Sequence, residues 1–241
     1  MRPPGLPALT ALASRVSASD PDRCRWLLGL LERGMSVLDP EMSVRHLLEE
    51  DPPPGDDVVV LALGKAAPAM ARGAAAALGG RARRYLVVSD HAEPVPADAE
   101  LMVTSHPVPD GSSLEAGRRL LEAAGGPADH ILLLISGGGS SLAEVPAPDL
   151  ALDDLVEVYD LLLRHGVPIE DANIVRTHLS SFKGGKLAAA AAAPTTTVVL
   201  SDVGPRLDLV ASGPSVPAES RPHDALEVLR HRAAGDGERA A

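Results

Sequence analysis

Apolar residues along this chain fall into two alternating patterns, short unbroken runs and wider helical spacings. Val58–Leu63, Tyr85–Ser89 (apolar as far as Val88) and Ile131–Ile135 are unbroken runs. Such a run predicts a strand buried on both faces, as in a parallel sheet covered by helices. Leu101–Thr104 and the β-branched run Thr195–Leu200 predict two further strands. Helical patterns lie between them. Trp26, Leu27, Leu30, Leu31 and Val37 recur at helical spacing over 23–38, after the start signal Asp20-Pro21. Val44–Glu50 predicts a short helix, and an Ala-rich helix runs to Leu78, where Gly79-Gly80 stops it. Ser112 is the expected cap of a helix to Ala124, with Glu115 at the capping-box position. Helices are also expected over Leu152–His165, Glu170–Phe182, Lys186–Ala193 and Pro222–Arg232. This alternation predicts an α/β fold with a mostly parallel sheet and helices on both faces. Residues 1–22 read as a partly disordered lead-in, 23–232 as one α/β domain, and 233–241 as a disordered tail.

Composition narrows the picture. The chain of 241 residues is 45% hydrophobic but only 2% aromatic, so Ala, Leu and Val must do the packing. A net charge of −11 argues against nucleic acid as a partner. Cys24 stands alone, which excludes an intrachain disulfide and a cysteine metal cluster. No apolar run approaches the roughly 20 residues of a membrane span, and the N-terminus has no signal-peptide core. A cytoplasmic protein without a membrane partner is the expectation.

The candidate chemistry sits where the strands end. Ile131–Ile135 leads directly into Ser136, Gly137, Gly138, Gly139, Ser140 and Ser141. Glycines let a ligand approach the main chain closely, and serine hydroxyls with free N–H groups can wrap an anion. The other strands end in Gly64-Lys65, Ser89-Asp90-His91 and Ser201-Asp202. In a parallel sheet these ends share one edge. A cation at Lys65 suits a phosphate or carboxylate oxygen. The surrounding sequence is not a Walker A loop, because Ala66 stands where Ser or Thr would hold magnesium, and no GxGxxG follows the first strand. Asn173, Arg176, His178, Lys183 and Lys186 form a basic cluster in an acidic chain, with Asn173, Arg176 and Ser180 expected on one helix face. A solvated helix face and an anion site both fit that cluster. Asp202 could hold a metal ion or orient a hydroxyl. Ser212-Gly213 opens a second small-residue loop. His106 before Pro107 is either a turn cap or a substrate contact, and Asp110 before Gly111 reads as turn chemistry.

Six segments together resemble the glycerate 2-kinase family, whose members are often labelled putative hydroxypyruvate reductases. They are Leu63–Ala67, Ser105–Asp110, Ser136–Ser141, Asn173–Ser180, Lys183–Ala188 and Ala211–Ser215, in the family's order and at similar spacing. The resemblance implies a Rossmann-like domain that transfers phosphate from ATP, with Mg2+, to the 2-hydroxyl of glycerate. By analogy Lys65 and Asp202 would be catalytic, with Asp202 as the metal or hydroxyl partner. Residues Ser136 to Ser141 would cradle phosphate. His106, Asn173, Arg176, Lys183, Lys186, Ser212 and Gly213 would contact substrate or anion. The family also carries a second, C-terminal domain across the active-site cleft, and this chain matches the first domain only. A separate partner chain would then complete the cleft. The family has a Gly-Asp pair before its Ser-Gly-Pro loop, and here Gly204-Pro205-Arg206-Leu207-Asp208 is about one residue shorter, leaving Asp208 as a stand-in. Two rival readings remain, a nicotinamide-dependent hydroxypyruvate reductase and a truncated, inactive anion-binding domain.

Overall fold

The computed structural model describes residues 26–31, 34, 39–201 and 203–233. The expected lead-in, Cys24 and Asp202 lie outside the described residues, as does the tail after Ala233. The helices are α1 (Pro40–Glu50), α2 (Ala67–Leu78), α3 (Gly111–Ala124), α4 (Gly139–Leu142), α5 (Leu152–Arg164), α6 (Ile169–His178), α7 (Lys186–Ala189) and α8 (Pro222–Ala233). The strands are β1 (Val58–Leu63), β2 (Ala82–Ser89), β3 (Ala99–Val103), β4 (His130–Ser136) and β5 (Thr195–Leu200). Residues 26–31 are helical as expected, but Trp26, Leu27, Leu30 and Leu31 are exposed.

All five strands are parallel, in the order β3-β2-β1-β4-β5. β1 and β4 are buried along their whole length because they are central and covered on both sides. Val59, Leu61, Leu63, Ile131, Leu133 and Ile135 face one core with α3 and Phe182. Val58, Val60, Ala62, Leu132 and Leu134 face the other with α1 and α2. The unbroken apolar runs thus supply both cores at once, by the alternation of side chains along a strand.

Among the element boundaries that differ from the sequence expectation are those of α3, α6 and α7. α3 is capped by Asp110, whose carboxylate accepts from the Ser112 and Ser113 N–H groups, while the Ser113 hydroxyl returns to the Asp110 N–H. The capping box begins at Asp110 rather than Ser112, and the stronger carboxylate acceptor takes the cap. α6 ends at His178, not Phe182. Ser180 is drawn into a bridge with Pro146, and its hydroxyl accepts from the Phe182 and Lys183 N–H groups, so the backbone cannot continue the helical ladder. α7 stops at Ala189 because the Ala192 N–H turns to the Ala124 carbonyl ahead of Pro194.

Gly64, at the end of β1, has φ +124, and a Cβ there would stand 2.5 Å from the Ser136 carbonyl oxygen. Gly64→Ala is therefore expected to lower the unfolding free energy by about 3 kcal/mol through backbone strain and collision. A urea midpoint unchanged from the parent chain would show that β1 and β4 do not approach this closely.

Candidate functional site

The strand order turns between β1 and β4: β2 and β3 lie on one side of that pair, and β5 on the other. The loops leaving β1 and β4 therefore depart in opposite directions and open a crevice at the carboxyl edge of the sheet. Lys65 follows β1 and the Gly/Ser loop follows β4, and the structure brings them together. The Lys65 N–H donates to the Gly137 carbonyl at 3.0 Å, and the Ala66 N–H donates to the Ser136 hydroxyl at 3.0 Å. The Lys65 side chain passes directly over Gly138. A Cβ on Gly138 would stand 2.8 Å from Lys65 Cγ and 2.9 Å from Cε, at a φ of +83. Gly138→Ala must both strain its own backbone, by about 1–2 kcal/mol, and push the lysine aside. Loss of anion binding with only a small stability change is the expected result, read by paired binding and melting measurements.

Lys65 is half exposed, and its ammonium lies 3.9 Å from Asp90 at the tip of β2. Asp90 in turn meets His91 Nδ1 at 2.6 Å. Partial burial pushes the Asp90 carboxyl up. The His91 hydrogen bond and charge, with Asp90's own N–H and Lys65, outweigh that and hold it below its usual range. The Asp90 hydrogen bond raises the His91 imidazole above its ordinary value, against a smaller lowering by burial. The signs set a pH window. The raised His91 contributes stability below its unfolded value of 6.5, lost as pH rises through the folded value. The lowered Asp90 contributes above its unfolded value of 3.8, lost as pH falls through the folded value. The pair is fully formed between those two limits. Asp90→Asn is expected to shift the His91 titration downward in an NMR pH series, and an unmoved midpoint would refute the pairing.

Ser140 links the loop to a second segment. Its hydroxyl lies 3.1 Å from the Ser212 hydroxyl, which donates to Asn173 Oδ1 at 3.0 Å. Ser212 sits in a run of left-handed residues, Ala211 (φ +52), Ser212 (φ +58) and Gly213 (φ +59). Two consecutive non-glycine residues in that region are costly and persist only where the surroundings fix them. The fixing contacts come from the Lys183-Gly184-Gly185 turn: the Gly184 N–H donates to the Ser212 carbonyl, and the Gly185 N–H to the Gly213 carbonyl.

The remaining candidates separate. Lys183 is not an accessible anion contact. Its side chain is fully buried and ion-paired with Glu144, also fully buried. Burial pulls the Lys183 ammonium below its usual range, and Glu144 opposes that pull. Glu144 also accepts from the Tyr159 hydroxyl at 2.7 Å and the Ser180 hydroxyl at 2.5 Å. Lys186 is half-buried and donates to the Thr177 carbonyl at 2.7 Å. Arg176 stacks its guanidinium 5.0 Å from the centre of the Tyr159 ring. His106 is exposed in the loop after β3, the edge strand two places from β1. Asp208 makes a two-pronged ion pair with Arg206, at 2.9 and 2.6 Å. Among the described residues, no helix is long and apolar enough to cross a membrane.

Glu144 and Tyr159 carried no sequence signal, since neither falls in a motif or a strand end. Asp90 and His91 did carry one, as polar residues closing an apolar run.

A doubly wound parallel sheet with a lysine and a glycine loop at its switch point is the architecture of proteins that bind ligands at the carboxyl edge of their strands. The chain belongs to the DUF4147 family, described as a domain of unknown function, whose profile matches residues 26–238. It is 38% identical over 217 residues to the D-glycerate 2-kinase of Thermotoga maritima, covering 87% of this chain and 52% of that protein. It is 36% identical over 220 residues to a putative hydroxypyruvate reductase of Agrobacterium vitis, covering 89% of this chain and 50% of that protein. The crystal structure of a Thermotoga maritima glycerate kinase superposes with a TM-score of 0.79 at 37% identity, over 85% of this chain and 50% of that one. The chain spans about half the length of the relatives it matches.

Proposed function

We propose that this chain is the amino-terminal half of a cytoplasmic glycerate 2-kinase, which phosphorylates the 2-hydroxyl of glycerate from ATP once a second domain completes the cleft. The observation that carries the reading is the meeting of Lys65 with Gly137 and Gly138 where the strand order turns. The Lys65 alkyl chain lies directly against Gly138, where a Cβ would collide with it, and this packing carries the half-exposed ammonium, 3.9 Å from Asp90, past the loop to where it can meet a bound anion. ATP supplies the phosphoryl group. The chain's own part is to hold phosphate oxygens with the loop N–H groups and serine hydroxyls, and to balance developing charge with Lys65. Phosphoryl transfer needs mainly positioning and such charge neutralisation. Asp202 is the carboxylate we assign to Mg2+. Asp208 is tied to Arg206 and makes a poor stand-in.

The test supplies the carboxyl-terminal half of a full-length relative in trans, with MgATP and D-glycerate. ADP and 2-phosphoglycerate formed in equal amounts support the reading. No phosphorylation with any supplied half removes it. The reductase name of the Agrobacterium vitis relative defines the rival, and NAD(P)H oxidation by hydroxypyruvate is its signature. The chain lacks the glycine fingerprint after β1 that such a cofactor would use.

A further inference from the structure

A cleft of about 570 Å³ lies beside the crevice, between α6 and the segment from Arg206 to Ser220. That volume falls within the range of small-molecule sites, roughly 300–1,000 Å³. Its apolar walls come from Ile174, Leu209 and Val216. Its polar wall is Asn173 with Ser212, the pair whose hydrogen bonds lead back to Ser140 in the Gly/Ser loop. Asn173 is 6% exposed, and its Nδ2 has no acceptor in the protein, although its Oδ1 is held by Ser212. A buried amide donor without a partner calls for an explanation, and here it stands in the wall of a cleft.

The charges decide what the cleft can take. Its lining carries three carboxylates, Glu170, Asp208 and Glu219, and one guanidinium, Arg206. Asp208 neutralises Arg206. Glu170 and Glu219 remain, both exposed, and they disfavour a phosphate or a hydroxy acid. They favour a neutral ligand with hydroxyl donors. A ligand that also has a flat apolar face and acceptors for an amide N–H satisfies every wall.

Resting on the kinase reading, we propose that this cleft receives the nucleoside part of the phosphoryl donor. The base lies against Ile174, Leu209 and Val216 and accepts from Asn173. The ribose hydroxyls turn toward the carboxylates. The Ser140–Ser212–Asn173 chain couples the cleft to the phosphate loop, so base and phosphates occupy adjoining halves of one site.

The experiment splits the ligand. Adenosine and inorganic tripolyphosphate are titrated separately, by ligand-observed NMR, into the parent chain, Ile174→Trp, the rim variant Glu170→Lys/Glu219→Lys, and Lys65→Ala. The rim variant changes exposed side chains, so it keeps the test open if Ile174→Trp misfolds. The expected result is saturable adenosine binding weakened about 10-fold or more by the cleft variants and unchanged by Lys65→Ala, with tripolyphosphate affected by Lys65→Ala alone or strengthened by the rim reversal. Adenosine that does not bind, or binds the cleft variants as tightly as the parent, overturns the nucleoside cleft. Failure of the kinase reading has a different signature: tripolyphosphate that does not bind, or binds independently of Lys65, whatever adenosine does.

Discussion

If the proposed kinase activity holds, Lys65→Ala is expected to lower the turnover of the chain supplemented with a second half about 100- to 1,000-fold, the range for removing one preorganised charge partner of a transition state. The same change should leave stability within about 0.5 kcal/mol, because a half-exposed lysine contributes little to folding. Its pair with Asp90 at 3.9 Å is partly solvated and adds little. Lys65→Arg separates charge from shape. The guanidinium is wider than the ammonium and must still pass over Gly138, where the alkyl chain already lies closely packed. Partial recovery of substrate affinity without recovery of kcat would place the ammonium at the transferring group. Steady-state kinetics and a melting curve on the same preparation decide the point. Turnover reduced less than about threefold would take Lys65 out of the site.

The second large effect concerns the buried pair Glu144–Lys183. Glu144→Ala is expected to cost about 3–5 kcal/mol of unfolding free energy, because it strands the Lys183 ammonium with no counter-charge. The Tyr159 and Ser180 hydroxyls lose their acceptor as well. Replacing both partners by apolar residues of similar size, Glu144→Leu with Lys183→Met, should recover much of the loss, since desolvating an ion pair offsets most of its attraction. The measurement is a double-mutant cycle of urea midpoints. Additive losses would mean the two side chains do not interact. The pair also reaches the candidate site indirectly: Lys183 begins the turn whose Gly184 and Gly185 N–H groups hold the left-handed Ser212 and Gly213. The apolar pair should therefore restore stability while the Ser212 segment keeps its geometry, provided the backbone turn is kept.

Much of the fold was legible in the sequence because its signals are local. Val58–Leu63 and Thr195–Leu200 coincide with β1 and β5, and the Ala-rich helix ends at Leu78 as Gly79 requires. The misplaced ends of α6 and α7 share one cause, a partner distant in sequence. Ser180 leaves the helix for Glu144 and Pro146, and Ala192 leaves it for Ala124. The site was legible as residue types and only partly as positions. Lys65 and the Gly/Ser loop close strands that prove to be neighbours, which brings the two together in space. In the sequence Lys183 fits a solvated helix face or an anion contact, both of them accessible positions, and nothing near it in sequence announces Glu144.

The sequence by itself determined the α/β alternation, the strands that must be buried on both faces, and the concentration of Lys65, Gly137, Gly138 and Gly139 at strand ends, because periodicity and glycine chemistry act over a few residues. Only the tertiary structure decided which strands adjoin, and so that β1 and β4 form the turn of strand order where Lys65 lies over Gly138. It also decided that Lys183 is spent inside the core and that Asn173 stands in the wall of a cleft. Those outcomes depend on contacts between residues tens of positions apart, which no local pattern encodes.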